Sequence, residues 1–98
     1  MTLLVRPEAQ KDILAAAQWY EDQQSGVGRR FVSDIDAAFM RIDLSPEHYP
    51  LSYRNLRRAL VQKYQYAVYF AVTETTVTVL AVLHQRRNRD ILGERVDE

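Results

Sequence analysis

The sequence predicts an α+β domain ordered β-αα-βββ: a helical hairpin packed on one face of a small, mostly antiparallel four-stranded sheet, followed by a short C-terminal helix or tail. Three observations predict it. Apolar residues recur at three- and four-residue steps before position 46, with one interruption at Ser25-Gly26-Val27-Gly28. β-Branched and aromatic residues then dominate 66–73 and 76–83. The chain is 98 residues long and 47% hydrophobic, which suits one domain spanning 1–98.

Each element has a local cause. Residues 2–6, Thr-Leu-Leu-Val-Arg, read as a short strand. Pro7 suits the first turn of a helix, where its missing N–H costs nothing. Glu8 and Asp12 follow early in that helix, where the dipole favours negative charge. Ala9, Ile13, Ala16, Ala17 and Tyr20 make the apolar stripe of a first helix over 7–23, and the glycines beyond it permit the backbone to break. A second helix over 28–45 carries Phe31, Ile35, Ala38, Phe39 and Ile42. It stops at Ser45-Pro46, because proline restricts the residue before it and cannot continue a helix. Trp19 and Tyr20 are read as packing within this hairpin.

Residues 46–54, with two prolines and two tyrosines, read as a loop. Strands follow at 56–63, 66–73 and 76–83, with the last hairpin tip at Glu74-Thr75. In the last strand, alternation puts Val77, Val79, Ala81 and Leu83 on one face and Leu80, Val82 and His84 on the other. Both faces become apolar, which predicts an interior strand. Asn88 is placed as the cap of a short helix carrying Ile91 and Leu92 before Gly93. A hairpin over one sheet face is the simplest packing that buries both apolar surfaces.

Composition narrows the function classes. With no cysteine, disulfides and thiolate chemistry are excluded. No apolar run reaches the ~18 residues of a membrane span. The N-terminus lacks a basic-then-apolar signal pattern, so a cytoplasmic protein without membrane association is expected. Glycine-rich phosphate loops, paired-histidine metal motifs and nucleophile elbows are all missing, and neither metal nor cofactor is expected. Formal charge is zero but uneven: residues 1–48 hold 5 basic and 8 acidic side chains, and residues 49–96 hold 8 and 3. Eleven of the 13 cations are arginines, whose rigid donor fork suits phosphate and carboxylate.

Two clusters stand out. His84-Gln85-Arg86-Arg87-Asn88-Arg89 follows the last strand, and three guanidiniums so close repel one another unless an anion or acidic partner is near. Arg54, Arg57, Arg58 and Lys63 form the second cluster. Alternation puts Arg57 with Ala59, Val61 and Lys63, and Arg58 with Leu60 and Gln62, so one of the two arginines lies on the face the hairpin leaves uncovered. Ordinary edge-strand charge accounts for this cluster equally well. Tyr49, Tyr53, Tyr64, Tyr66 and Tyr69 read as core or partner-binding residues rather than a platform for stacking bases.

Pro7-Glu8-Ala9 with Asp12, then Trp19-Tyr20, Gly28 and Phe31, resemble the helical hairpin of the RelE/ParE toxin superfamily. Leu56-Arg57, the aromatic strand from Tyr66 to Tyr69 and the ending Val82-Leu83-His84-Gln85-Arg86-Arg87 extend the resemblance over nearly the whole chain. Tyr64-Gln65-Tyr66 departs from a common Phe-Pro-Tyr, which alters a bend and not the fold. The resemblance implies a toxin of a type II toxin–antitoxin system, also known as a plasmid stabilisation protein. A cognate antitoxin, wrapping a segment round the toxin, would neutralise it. ParE-like members poison DNA gyrase; RelE-like members cleave mRNA on the ribosome without a metal. The His-x-Arg-Arg ending resembles the ParE side, which implies target binding by Arg57, Arg58, His84, Arg86 and Arg87 and growth arrest without catalysis. The RelE-like alternative implies an endoribonuclease with Tyr66 or His84 as general acid or base, and Arg57 and Arg86 stabilising the transition state. A third alternative is a non-toxic binding module of the same fold. A homodimer is compatible with all three.

Overall fold

Pro7 opens the first helix where the sequence places it. In the computed structural model, which describes residues 2–86 and 90–96, α1 spans Pro7–Gln23 and α2 spans Val27–Leu44. Between them Gly26 takes the left-handed conformation, at φ 91°, that glycine adopts without strain. Gly28 sits where the two helices touch: a Cβ there would collide with the Ala17 carbonyl oxygen and lie 3.0 Å from Glu21 Cβ. Glu21 reaches from the end of α1 to the start of α2. Its carboxylate accepts the Gly26 N–H at 3.0 and 3.1 Å and the Gly28 N–H at 3.1 Å, satisfying donors that a helix start leaves free.

The bond from Gly26 holds the Glu21 carboxyl below its ordinary value of 4.5, helped by those from Gly28 and Ser25 and by nearby Arg29, against some desolvation. A pKa lowered by folding gives stability that is present above the unfolded value and lost as pH falls through the folded one. The wild-type urea midpoint is therefore expected to fall as the solution is acidified from about pH 4.5. Glu21→Gln should flatten that part of the profile; parallel slopes for both proteins would contradict the assignment.

The strands are β1 (Thr2–Val5), β2 (Leu51–Tyr53), β3 (Leu56–Val61), β4 (Tyr66–Val72) and β5 (Thr76–His84), in the sheet order β1-β5-β4-β3-β2. β1 runs parallel to β5 and the other pairs are antiparallel. The sheet thus has five strands rather than four. The extra one, β2, lies in the stretch read as a loop and pairs Leu51 with Arg57 and Tyr53 with Leu56. Arg54, at φ 52°, turns the chain between them. β3 is shorter than predicted because Gln62–Tyr64 form a 3-10 turn closed by Gln65 in the left-handed region, at φ 56°. At the Glu74-Thr75 tip, Thr73 Oγ1 accepts the Thr76 N–H, so a side chain supplies a bond in place of ideal Asn-Gly turn chemistry.

The hairpin covers one sheet face. Phe31, Ile35 and Ile42 of α2 are fully buried on Val68, Phe70, Val77, Val79 and Val82. The opposite face is not left bare: α3 (Asp90–Val96) lays Leu92 on Leu56, Ala67, Tyr69, Leu80, Ala81 and Leu83. Gly93 is inside this helix rather than at its end. A Cβ at Gly93 would stand 3.0 Å from the Tyr53 hydroxyl, so its absence lets α3 sit close to β2. The proposed Asn88 cap lies outside the described residues. Among the described residues no helix is long and apolar enough to cross a membrane.

β5 departs from simple alternation. Its register runs Phe70–Val79 and then Tyr69–Ala81, leaving Leu80 as an extra residue. Such a bulge shifts every later side chain to the other face. Val77 and Val79 face the hairpin, but Ala81 and Leu83 pack with α3, and Val82 returns to the hairpin core. The predicted grouping of Val77, Val79, Ala81 and Leu83 is corrected accordingly.

β1 ends opposite Val79, with one more bond from Arg6 N–H to Val79 O at 3.0 Å. Side chains then take over the edge of β5. Asp12 Oδ2 accepts the Val82 N–H at 3.0 Å, while Arg95 Nη1 donates to Leu80 O at 2.9 Å. The two side chains close on each other in a two-pronged ion pair at 2.9 and 3.0 Å. This clasp ties α1 to α3 across the strand end.

Candidate functional site

The end of β5 brings together part of the set singled out in the sequence. Tyr66 and His84 are register partners, with ring centroids 5.4 Å apart in an edge-to-face arrangement. The Gln85 N–H donates to Gln65 O at 2.9 Å, the bond that flanks a non-hydrogen-bonded pair. The His84 backbone N–H and C=O therefore point to the open edge of β5. The Arg86 N–H donates to His84 Nδ1 at 3.1 Å. A ring that accepts at Nδ1 carries its proton at Nε2, so His84 offers an N–H on its far side.

Behind this pair stands an aromatic wall. Tyr66 touches the rings of Tyr20 and Phe31, and Tyr20 touches Tyr64. Burial raises the Tyr20 and Tyr64 hydroxyls above their ordinary pKa; Tyr66 adds to the first effect and Asp34 to the second. Both remain protonated donors, and Tyr20 gives its hydrogen to Tyr64 O at 3.3 Å. Trp19 stands edge-on to Tyr20 but keeps 57% of its surface exposed. Its reading as hairpin packing is corrected: Tyr20 packs and Trp19 faces out. Lys11, Ala15 and Trp19, on successive turns of α1, form one wall of a groove of about 430 Å³ whose other wall is Tyr66, Val82 and Leu83.

The arginines divide. Arg57 lies on the hairpin side of β3 and spends its Nη1 on loop carbonyls, Tyr49 O at 2.6 Å and Glu47 O at 3.3 Å. It pairs with Phe70, whereas Tyr66 pairs with Val61, four residues on. That separation is about 13 Å at the rise of a strand. Arg57 is therefore not gathered with Tyr66 and His84. Arg58 projects to the other face, as alternation requires, beside its register partner Tyr69. Its Nε is buried and finds no acceptor among the described residues, a condition that ordinarily costs ~1–3 kcal/mol. Buried donors left unpaired are rare enough to call for an explanation. Ser52, Tyr69 and Gln85 line the same small pocket of about 150 Å³. Arg86 is exposed, and Arg87 lies outside the described residues.

Sequence reasoning gave Trp19 and Ser52 no place in a candidate site. Tyr69 was read there as a core or partner-binding tyrosine and Gln85 stood within the cluster after the last strand, but nothing in the sequence brought either to Arg58 except the strand pairing that sets Tyr69 beside it.

A model of the ParE toxin family, described as the ParE toxin of the type II toxin–antitoxin system parDE, matches residues 3–89. Among solved structures, the chain is similar to the chromosomal ParDE toxin–antitoxin system from P. aeruginosa. That match has a TM-score of 0.78 at 16% identity and covers 86% of this chain and 95% of that one. It is also similar to the isolated RelE toxin of E. coli, with a TM-score of 0.56 at 17% identity, over 98% of this chain and 95% of the other. At these identities the structural matches speak to the fold alone. No curated protein sequence matches the chain.

Proposed function

The chain belongs to the ParE toxin family of type II toxin–antitoxin systems, and from that premise we propose that it arrests growth by inhibiting DNA gyrase and is silenced by a cognate ParD-type antitoxin. The family match over residues 3–89 carries this reading. The division of the arginines supports it against catalysis. An mRNA-cleaving site built on Arg57, Tyr66, His84 and Arg86 needs these groups around one phosphate, and Arg57 is engaged elsewhere with Tyr49 and Glu47. The antitoxin takes the groove between α1 and β5. An exposed tryptophan beside small alanines is the kind of anchor point on which protein interfaces concentrate their energy. The outward-facing His84 backbone offers a strand edge to an extended segment.

Purified protein is expected to block gyrase supercoiling and to accumulate cleavage complexes, and antitoxin to relieve both. Trp19→Ala should raise the antitoxin concentration needed by about 30-fold, the value of ~2 kcal/mol at an aromatic anchor. Unchanged supercoiling by a preparation that arrests growth would reject gyrase as the target. Translation-dependent mRNA loss abolished by His84→Ala would instead favour the ribonuclease reading.

A further inference from the structure

The face opposite the hairpin carries a feature that the antitoxin groove leaves unused. Ser52 of β2, Arg58 of β3, Tyr69 of β4 and Gln85 just beyond β5 line one pocket, so three strands and the residue past a fourth contribute to it. Its volume of about 150 Å³ is that of a few waters at ~30 Å³ each, the scale of one small oxyanion. Arg58 enters with its Nε shielded from water and no acceptor for it among the described residues. A guanidinium nitrogen removed from water calls for an acceptor, yet among the described residues no acidic side chain lines the pocket. Arg54, at the turn between β2 and β3, lies over the Tyr53 ring at 5.3 Å, and Arg86 follows Gln85 directly.

Among the described residues the remaining lining is neutral and able to donate: a hydroxyl, a phenol and an amide. A planar carboxylate is satisfied by the guanidinium fork alone. A tetrahedral oxyanion uses the fork and also donors placed around it. We propose that this pocket binds a phosphate group, either within a nucleic-acid backbone or at the end of a nucleotide. This deepens the target-binding reading by giving Arg58 a ligand of stated chemistry. Direct titration decides it, whereas gyrase assays decide that reading, so either can fail alone.

The shielded Arg58 Nε–H supplies the probe. In the full-length chain labelled with ¹⁵N, its resonance is expected to shift saturably with inorganic phosphate and not with chloride at equal ionic strength. Arg58→Lys keeps the charge and loses the fork, and is expected to weaken binding, followed through neighbouring amides, about tenfold or more, the worth of one hydrogen bond to a charged group. Gln85→Ala, at an exposed position that cannot threaten the fold, should weaken it about fivefold. A mononucleotide and a short oligonucleotide without terminal phosphates separate the two sources, according to which shifts Arg58 at the lower concentration. A shift matched by chloride, tighter binding of acetate, or affinity unchanged in both variants overturns the proposal.

Discussion

Asp12→Ala is expected to lower stability by about 3 kcal/mol and the thermal midpoint by about 15 °C. The Asp12 carboxylate closes three bonds at once, two with Arg95 and one with the Val82 N–H. Arg95 and Asp12 are only 16% and 13% exposed. Removing the carboxylate leaves a guanidinium with little water to replace it and a strand donor without a partner. Breaking a buried pair from one side costs roughly 3–5 kcal/mol, and slight exposure sets this case at the lower end. Replacing both residues by apolar ones removes the stranded charge, so Asp12→Leu with Arg95→Met should lose less than Asp12→Ala alone. Urea and thermal unfolding of the three variants check this. A loss below about 0.5 kcal/mol, typical of open surface positions, would mean that the clasp does not hold the helices.

Gly28→Ala is expected to cost a comparable amount, about 3 kcal/mol, at the upper end of overpacking penalties. The obstacle is the Ala17 carbonyl, part of the α1 backbone, so α1 and α2 must move apart rather than a side chain swing away. That movement also pulls Glu21 from the Gly26 and Gly28 N–H groups it serves. In an open helix the same substitution stabilises by ~0.4–1 kcal/mol. The sign of the measured change therefore tests the close approach directly.

The hairpin was legible because its signals are local. Pro7, the apolar steps of α1 and α2, and the glycines at 26 and 28 each act within a few residues of where they stand. The β4–β5 hairpin was legible for the same reason. β2 was not, because a three-residue strand between Pro50 and the Arg54 turn is too short to show alternation. The bulge at Leu80 was hidden by composition: from Val79 to Leu83 every residue is apolar, so either phase fits the pattern. The role of Arg95 was invisible because its partner lies 83 positions away. The same separation between local and distant causes governs the site. The Tyr66–His84 pairing follows from two neighbouring strands, whereas Arg58, Ser52 and Gln85 meet only after the whole sheet is assembled.

Leu80 has a consequence for heredity. Losing one residue between positions 79 and 81 would barely change length, charge or hydropathy. It would also leave both surfaces downstream in place, because Val79 would still pair with Phe70 and Ala81 with Tyr69, and the strand would simply run on without its bulge. Neither surface thus hangs on that codon: a relative lacking it keeps His84 against Tyr66 and Gln85 beside the Arg58 pocket, although its numbering past position 79 runs one behind.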